Sequence, residues 1–358
     1  MPRLNKEHGH EVEIIASTET FIDNSRLGYV SAGEYYTSDG IRIIRLPYKK
    51  WLPHFVMKKI RIYKDFYAKL EQFKPDTIMF HGMAAADLLQ AVKYIKNHPQ
   101  TKLYVDSHED AHNSGTNILS KCILHRLFYR SIIQKSLPYV TKVLYLTEEI
   151  KQYVRTEYMV PDHIMEYYPL GGEVVSEKTR LQCRRKIRQQ YQIDDDTLVI
   201  MHSGKLDTMK KTDSLLDGLR MVQSDKVKLL VAGSIPAECE YLKEKIDMDS
   251  RVSFVGWLNN QELREYLCAS DIYAQPGTQS ATMQNAICCG LPVMLYPYES
   301  HKKLCHDNVF WVENASDIAD AIKQMLKSPE LVNKMKNASW KIAVETLDYE
   351  LLARRIER

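Results

Sequence analysis

One stretch of this sequence indicates its architecture: LVIMHSGKLDTMKK, residues 198–211. It opens with a continuously apolar run, as a buried strand does, and a helix-like pattern begins at Thr212, after the glycine turn. Lys205 and Lys210 lie five positions apart across that turn. Ligands of open α/β sheets bind at the carboxyl ends of the strands, and helix N-termini with nearby cations favour phosphates. The stretch therefore predicts an anion site between a strand and a helix; the alternative is a lysine pair that only faces water.

Short apolar runs alternate with helical patterns along most of the chain. Strands separated by helices indicate βαβ units and parallel sheets, and runs that are apolar throughout are typical of strands covered on both faces. The pattern therefore predicts an α/β fold. The predicted strands are Val12–Ala16, Ile41–Leu46, Thr77–Phe80, Leu103–Asp106, Val143–Leu146, Leu198–His202, Lys228–Ala232, Val252–Val255, Ile272–Gln275 and Pro292–Leu295.

The length of 358 residues suggests two domains, since domains cluster near ~100–200 residues. Pro169–Gly172 gives way to a charged helical pattern at Lys178–Tyr191, and a new series of strands and helices starts at Thr197. We therefore predict one domain at residues 1–175 and a second at residues 176–340.

The composition argues against several classes of protein. A net charge of +3 is nearly balanced, whereas nucleic-acid-binding domains are strongly basic, so we expect no nucleic-acid partner. The seven cysteines show neither CxxC pairs nor zinc-site spacings, which indicates reduced thiols in a cytoplasmic protein. No apolar run approaches the ~20 residues of a membrane helix, and the N-terminus lacks the apolar core of a signal peptide.

A second polar cluster follows the predicted strand Ile272–Gln275. Pro276-Gly277 suits a turn, and either Ser280 or Thr282 can cap the helix that comes next. Backbone N–H groups and small hydroxyls at such a turn can bind a nucleotide or a sugar. The alternative is an ordinary connection between strand and helix, in which Gly277 merely permits the turn.

A third cluster, His108-Glu109-Asp110, follows the predicted strand Leu103–Asp106. These side chains could perform acid–base chemistry or orient an acceptor hydroxyl; alternatively, they form an acidic loop that faces water. His81 follows the preceding strand, where it could face the same place or be structural. Because no second His/Asp cluster has ligand spacing, we expect no metal site.

A fourth feature, the segment Lys49–Lys69, mixes basic and aromatic residues. This mixture is typical of a helix at the surface of an anionic membrane, and it is also typical of an amphipathic helix whose aromatic side is core. The basic residues are Lys49, Lys50, Lys58, Lys59, Arg61, Lys64 and Lys69, and they are interleaved with the apolar and aromatic residues Trp51, Phe55, Ile60, Ile62, Phe66 and Tyr67.

Together these motifs resemble the GT-B glycosyltransferases, specifically the family 4-like retaining enzymes, over nearly the whole chain. Gly204-Lys205…Lys210 is similar to the family element that holds the donor diphosphate. Gly256–Ile272 resembles the family's "GW…L…YL…AD" stretch, and Cys289–Val293 resembles its "CGLPV". His108 matches the family's histidine near the sugar, which implies a catalytic role. Tyr349–Arg358 resembles the helix that crosses back to the first domain, so residues 341–358 are expected to pack there.

The resemblance implies two Rossmann-like, doubly wound parallel-sheet domains that face each other across a cleft. It also implies a retaining enzyme that moves a sugar from a UDP- or GDP-sugar to a saccharide or lipid-linked acceptor in cell-surface polysaccharide synthesis. No cofactor and no metal ion are expected. The protein would be cytoplasmic, at the inner face of the membrane if Lys49–Lys69 contacts anionic lipid. The residues assigned to the donor sugar and ribose are Gly277, Thr278, Gln279, Ser280 and Asn285.

Two departures from the family pattern support an alternative. The family's two glutamates fall on Gly277 and Asn285, counted back from Gly290; Asn285 could still bind a ribose hydroxyl, and Gln279 could stand in for the sugar-side carboxylate. Family members also begin with a strand and a Gly-containing loop, whereas this chain starts after both, so we expect either an upstream start or a truncated copy. The alternative is a catalytically inactive or truncated relative that binds or scaffolds. A sugar-nucleotide epimerase of similar architecture fits the lysine pair less well.

Overall fold

The computed structural model describes residues 1–23, 26–108 and 120–357. The chain forms two compact units. Unit 1 comprises Met1–Pro169 together with Leu352–Arg358, and unit 2 comprises Leu170–Leu351. The division therefore falls at Pro169, slightly before the predicted position, residue 175.

The described strands of unit 1 form two sheets and a hairpin. β6, β7, β8 and β9 make a parallel sheet in that order, β1, β5 and β4 make a mixed one, and β2 pairs with β3 in an antiparallel hairpin. The strands are β1 (Glu13–Ser17), β2 (Glu19–Asp23), β3 (Arg26–Tyr29), β4 (Gly33–Tyr36), β5 (Arg42–Leu46), β6 (Thr77–Phe80), β7 (Lys102–Ser107), β8 (Lys142–Tyr145) and β9 (Met165–Tyr167).

Helices pack on the parallel sheet of unit 1 and bury its apolar core. Leu103, Val105 and Val143 of the sheet are fully buried in that core, together with Ile133 and Val154 of the helices. The α-helices described in unit 1 are α1 (Pro2–Glu7), which has no buried residue, α2 (His54–Ile60), α3 (Phe66–Phe73), α4 (Leu88–Asn97), α5 (Arg130–Ser136), which continues a π-helical segment at Ser120–Tyr129, and α6 (Glu148–Tyr158).

Unit 1 departs from the single doubly wound sheet that the resemblance implies. Within the described residues, β1 pairs only with β5 and β6 pairs only with β7, so no described strand joins the two sheets. The three strands β2, β3 and β4 are also additional to the prediction. Their side chains are mostly exposed, and therefore they lack the apolar runs by which a buried strand is recognised.

Unit 2 is a six-stranded, all-parallel sheet in the order β12-β11-β10-β13-β14-β15. Its strands are β10 (Leu198–Lys205), β11 (Val227–Ser234), β12 (Val252–Gly256), β13 (Ile272–Gln275), β14 (Val293–Leu295) and β15 (Val309–Trp311). Its helices are α7 (Glu177–Gln190), α8 (Thr212–Arg220), α9 (Tyr241–Asp247), α10 (Asn260–Ala269), α11 (Thr282–Cys288), α12 (Glu299–Leu304), α13 (Ala315–Lys327) and α14 (Pro329–Ile342).

Both faces of the unit 2 sheet are buried, as its continuously apolar strands predict. Ile200 and Ile272 lie in the core on one face, whereas Val199, Met201 and Tyr273 lie in the core on the other. The strand order reverses between β10 and β13, which makes the carboxyl ends of these two strands the topological switch point of the sheet.

A buried carboxylate joins several elements of unit 2. Asp271, just before β13, accepts ion pairs from Arg184 and Lys336 at 3.0 Å and from Arg188 at 2.6 Å. It also accepts a hydrogen bond from the N–H of Val199 at 2.9 Å. Burial alone would raise the pKa of this carboxyl, but the cations, Lys336 foremost, hold it below its usual range. The aspartate of the "AD" motif is therefore a structural residue.

The C-terminal helix α15 (Tyr349–Glu357) belongs to unit 1 from Leu352 onwards. The Tyr168 hydroxyl donates to the Leu352 carbonyl at 2.7 Å, and Arg355 donates to Glu166 at 3.2 Å. Asn5 and His8 both contact Glu357 at 2.7 Å. These contacts attach the end of the chain to the domain that contains its beginning. In the described parts of the chain, no helix is long and apolar enough to cross a membrane.

Candidate functional site

The first part of the candidate site is the carboxyl end of β10. Gly204 lies opposite Gly233 of β11, and a Cβ built on Gly233 would come within 1.8 Å of the Gly204 carbonyl oxygen. Gly204 itself has a φ of +140°, which disfavours any other residue. The two glycines thus let the strand ends approach each other closely and place Lys205 directly after them.

The two predicted phosphate-binding lysines differ in environment. Lys205 is exposed, and its side chain makes no hydrogen bond or ion pair with the described residues. Lys210 is half-buried, and its ammonium donates to the carbonyls of Thr278 at 3.1 Å and Gln279 at 3.2 Å. Burial lowers the pKa of Lys210, against the opposing effect of Asp207. Lys205 is therefore available to a ligand. Lys210, by contrast, also holds the loop at residues 277–280 against the loop that follows β10.

Gly277 lies where the loop that follows β13 contacts the loop that follows β10. A Cβ on Gly277 would come within 2.1 Å of the Met209 carbonyl oxygen and 2.5 Å of the Lys210 carbonyl carbon, so the packing leaves no room for a side chain. The N–H of Thr278 donates to the same Met209 oxygen at 3.0 Å. The glycine is thus required by a backbone contact, and the glutamate that the family carries here does not fit.

The other predicted donor-binding residues surround the start of α11. Gln279 donates to the Ser300 hydroxyl at 2.8 Å, and the Ser280 hydroxyl accepts from the N–H of Thr282 at 3.2 Å. Asn285 lies within α11; its side-chain amide is half-buried and makes no hydrogen bond to the described residues. The structure therefore brings Lys210, Gly277, Thr278 and Gln279 into direct contact, and Ser280 organises the helix that carries Asn285.

Gln275, the last residue of β13, is a polar residue that the sequence did not single out. Its side chain is fully buried, and neither its amide nitrogen nor its amide oxygen has a hydrogen-bond partner among the described residues. An unpaired buried amide costs free energy, so natural proteins rarely keep one without a reason. A glutamine at the end of an otherwise apolar strand was the available signal.

We expect Gln275→Met to stabilise the unliganded protein. Methionine is similar in size and needs no hydrogen bond, so the free energy of unfolding should rise by about 1–2 kcal/mol. Urea unfolding of parent and variant measures the change, with Gln261→Met at an exposed site as the control. If the substitution destabilises the protein, Gln275 is already satisfied in solution.

His202 is a second buried polar residue in this region that the sequence analysis did not single out. Its Nδ1 lies 2.8 Å from the Ala274 carbonyl oxygen, and its Nε2 lies 3.0 Å from the Thr212 hydroxyl. A neutral ring satisfies both contacts, since one nitrogen donates and the other accepts. Burial lowers the pKa of His202 to about 4. The residue therefore joins β10 to β13 and to the start of α8, and it carries no charge near neutral pH.

His202 should make unit 2 less stable in acid. Its pKa of about 4 in the folded state lies below the ~6.5 of an exposed histidine, so the unfolded chain takes up a proton first as the pH falls. Between pH ~7.5 and pH ~5 this should cost about 2 kcal/mol. Urea unfolding at both pH values should show that loss in the parent but not in His202→Gln. An equal pH dependence in both proteins would contradict the assignment.

In unit 1, the predicted His108 belongs to a cluster around a buried aspartate. His108 Nε2 lies 3.3 Å and His81 Nδ1 lies 2.6 Å from the same Asp106 oxygen, and the Gly82 N–H donates to the other oxygen at 2.7 Å. Burial would raise the pKa of Asp106, but the hydrogen bonds from His108 and His81 hold it well below its usual range. Because β6 and β7 are adjacent and parallel, the residues that follow them meet at one edge.

The ligand atoms of His81, Asp106 and His108 lie within 4.8 Å of one another, and of the described residues only this group has the geometry for a metal ion. We expect no metal site from the sequence, because no second His/Asp cluster has ligand spacing there. The structure forms this cluster by pairing β6 with β7, which the spacing of residues in the sequence does not show. Glu109 and Asp110 of the predicted cluster lie outside the described residues.

The basic and aromatic segment divides into a buried and an exposed part. Phe66 and Leu70 of α3 are buried in the core, as the amphipathic interpretation predicts. Trp51 and Phe55, by contrast, are 68% and 70% exposed. Lys49 stacks on the Trp51 ring at 4.4 Å. The exposed aromatic residues are therefore at and before α2.

The hairpin of β2 and β3 lies beside α2 and adds to the exposed apolar surface. His54 of α2 contacts the Tyr29 hydroxyl of β3 at 2.9 Å, and Lys58 of α2 forms an ion pair with Glu19 of β2. We call this surface the apolar patch; its exposed members are Phe21, Ile22, Leu27, Trp51, Leu52 and Phe55. Large exposed apolar side chains on neighbouring elements can mark a site of interaction with a membrane or a protein.

Comparison with protein families identifies the second part of the chain. Residues 184–341 match the family described as glycosyl transferases group 1. These residues lie within unit 2 and contain β10 to β15. None of the curated protein sequences matches the chain.

Solved structures resemble the chain over most of its length. HepE of Anabaena, determined in complex with UDP, has a TM-score of 0.63 at 16% identity, over 88% of this chain and 85% of HepE. Sucrose-phosphate synthase of Thermosynechococcus elongatus has a TM-score of 0.67 at 15% identity, over 99% and 90%. WaaG, a glycosyltransferase involved in lipopolysaccharide biosynthesis, has a TM-score of 0.59 at 15% identity, over 99% and 93%. The predicted α/β architecture of the GT-B type is thereby confirmed.

Proposed function

We propose that this chain transfers a sugar from a UDP- or GDP-sugar, because it has the GT-B architecture and its residues 184–341 match glycosyl transferases group 1. The acceptor is a saccharide or a lipid-linked saccharide, the configuration at the transferred carbon is retained, and the product belongs to a cell-surface polysaccharide. The observation that carries this proposal is the pair Lys205 and Lys210 at the topological switch point, with residues 277–280 packed against Lys210.

The lysines suit the chemistry of a leaving nucleoside diphosphate. As the bond to the sugar breaks, negative charge grows on the diphosphate, and fixed ammonium groups stabilise that charge in the transition state. Asn285 takes the position of a family glutamate, where its amide can bind a ribose hydroxyl. Retention is proposed from the resemblance alone: the leaving phosphate takes the acceptor proton, since no side-chain nucleophile is evident in the described residues. The structure of HepE with UDP supports a UDP donor, and the role of WaaG supports a surface polysaccharide.

His108 is proposed to contact the reacting sugar or the acceptor hydroxyl. Asp106 holds the ring through Nε2, which fixes its orientation. A histidine oriented in this way can hydrogen-bond the reacting sugar or the acceptor hydroxyl. We further propose that transfer needs no metal ion or other cofactor, because the lysines already neutralise the diphosphate. Chelation with EDTA should then leave the rate unchanged, and a requirement for Mg²⁺ or Mn²⁺ would contradict this.

The deciding experiment incubates the purified protein with UDP- and GDP-sugars and a panel of saccharide and lipid-linked acceptors. We expect saturable release of UDP or GDP that depends on an acceptor, with the anomeric configuration of the donor preserved in the product by NMR. His108→Gln should lower kcat while leaving the Kd for UDP unchanged. Inverted stereochemistry in the product would overturn the retaining assignment.

A second candidate function is that of a catalytically inactive relative that binds a nucleotide-sugar. The observation that favours it is Gly277, where packing against Met209 and Lys210 excludes the family carboxylate. This candidate predicts that UDP binds and that Lys205→Ala weakens its binding, yet no acceptor yields a product. The same assay therefore distinguishes the two candidates.

We also propose that unit 1 binds the surface of an anionic membrane on the cytoplasmic side. The apolar patch provides aromatic and aliphatic side chains that can enter the interface, and the exposed Lys50 and Lys59 provide positive charge beside it. A membrane-bound enzyme would meet a lipid-linked acceptor at its site of synthesis.

Co-sedimentation with vesicles tests the membrane proposal. Binding should require phosphatidylglycerol in phosphatidylcholine vesicles, and it should fall in Trp51→Ala and in the double variant Lys50→Glu, Lys59→Glu. Trp257→Ala is the matched control, since Trp257 is 67% exposed in unit 2 and Trp51 is 68% exposed. Equal losses in both tryptophan variants would contradict a role for the apolar patch.

A further inference from the structure

Unit 2 contains a cavity of about 540 Å³ against helices α7 and α14. Each helix lines it with residues spaced i, i+3, i+4 and i+7, which form one stripe on a helix. Two such stripes usually carry apolar side chains that pack together, but here most of them are charged or polar. The volume falls within the ~300–1,000 Å³ typical of small-molecule sites. The stripes are Glu177, Arg180, Leu181 and Arg184 on α7, and Asn333, Lys336, Asn337 and Trp340 on α14.

The cavity has an excess of positive charge. Arg184 and Lys336 line it while holding Asp271, which is also held by Arg188, so three cations share one buried carboxylate. Arg180 adds a further cation, and its guanidinium makes no hydrogen bond or ion pair with the described residues. Glu177 is the only acidic residue among those that line the cavity. An anion that enters would therefore meet an attractive potential and an unpaired guanidinium.

A flat apolar group lies next to that guanidinium. A Cβ built on Gly290 would lie 3.8 Å from the Trp340 ring and 3.9 Å from Arg180 Nη1, so both groups approach the same backbone position, which has no side chain. Trp340 is 39% exposed. The cavity thus presents an aromatic face beside a cation with free N–H groups.

We propose that this cavity binds a small organic phosphate: a phosphomonoester whose phosphate contacts Arg180 and Lys336 and whose flat group lies on Trp340. A guanidinium matches phosphate oxygens with two parallel hydrogen bonds, and an indole ring stacks on planar groups. Asn333 and Asn337 supply amides that can hydrogen-bond polar substituents. None of these residues belongs to the proposed donor site, so this is a second ligand site within unit 2.

Isothermal titration of the full chain with phenyl phosphate tests the proposal. Phenyl phosphate should bind saturably; inorganic phosphate should bind more weakly and compete with it, and benzyl alcohol should not bind. Arg180→Gln should weaken binding at least about 10-fold, the size of one charge-assisted hydrogen bond, and Trp340→Leu should weaken it by about 3- to 10-fold.

Matched controls come from the same helix and from an equally exposed tryptophan. Arg185→Gln changes an exposed arginine of α7 that does not line the cavity, and Trp311→Leu changes a residue that is 38% exposed; both should bind phenyl phosphate like the parent. Retained UDP binding would show that each variant is folded. The proposal is overturned if Arg180→Gln and Trp340→Leu bind like the parent, or if no phenyl phosphate binds. It is also overturned if Lys205→Ala, but not Arg180→Gln, abolishes binding, since the phosphate would then occupy the donor site.

Discussion

Asp271→Asn is expected to lower the free energy of unfolding of unit 2 by about 3–5 kcal/mol. Asparagine has nearly the same shape and can still accept from the Val199 N–H, so the change removes mainly the negative charge. Arg184, Arg188 and Lys336 would then lie close together without an anion. Breaking a buried ion pair by removing one partner is costly because a charge is left buried without an anion, as the Arg188 guanidinium would be here. Urea unfolding followed by circular dichroism measures the loss.

A double variant separates charge from shape. Adding Lys336→Met to Asp271→Asn removes one of the uncompensated cations, so it should recover part of the lost stability. Asp320→Asn serves as the control, because its ion pair with Lys323 is exposed and should contribute less than about 1 kcal/mol. If Asp271→Asn costs no more than this control, the buried network does not hold unit 2 together.

Lys210→Ala is expected to weaken UDP binding at least about 100-fold, and Lys205→Ala about 10-fold. Lys205 would lose one charge-assisted contact to phosphate. Lys210 would lose such a contact and also its hydrogen bonds to the carbonyls of Thr278 and Gln279, so the loop at residues 277–280 would no longer be fastened. Isothermal titration with UDP measures both effects, and Lys243→Ala, at an exposed lysine of α9, is the control.

The salt dependence of binding separates the two roles of Lys210. Loss of a phosphate contact reduces the dependence of affinity on ionic strength, whereas loosening of a loop does not. We therefore expect both lysine variants to show a weaker salt dependence than the parent. If Lys210→Ala binds weakly but keeps the parent's salt dependence, Lys210 only supports the loop. If both variants bind UDP like the parent, the phosphate assignment is wrong.

The sequence predicted the buried strands well because buried strands consist mostly of apolar residues. Each predicted strand, for example Leu198–His202 and Ile272–Gln275, overlaps an observed strand, since a strand covered on both faces must be apolar throughout. The three-residue strands β9 and β15 were not predicted, although the equally short β14 was, because β14 is fully buried whereas β9 and β15 are partly exposed. β2 and β3 were not predicted because their side chains point largely to water.

The candidate site was predictable in its residue types but not in its contacts. The position of Lys205 directly after Gly204 at the end of an apolar strand follows from local sequence. The attachment of Lys210 to Thr278 does not, because it joins two loops that are far apart in the chain and meet only when β10 pairs with β13. In unit 1, the pairing of β6 with β7 brings His81 to Asp106 in the same way. Gln275 and His202 were visible only as polar residues in apolar strands.

The contact at Gly277 constrains the order in which substitutions could accumulate at this site. Asn285 is half-buried, and its amide makes no hydrogen bond to the described residues, so Asn285→Glu breaks no hydrogen bond. Gly277→Glu, by contrast, does not fit, because its Cβ would collide with the Met209 carbonyl before the carboxylate reached any ligand. A glutamate at 277 becomes tolerable only after the backbone at residues 209–210 has moved. Residue 277 is therefore epistatic with residues 209–210, and a chain with this loop contact could not acquire the glutamate pair by two substitutions alone.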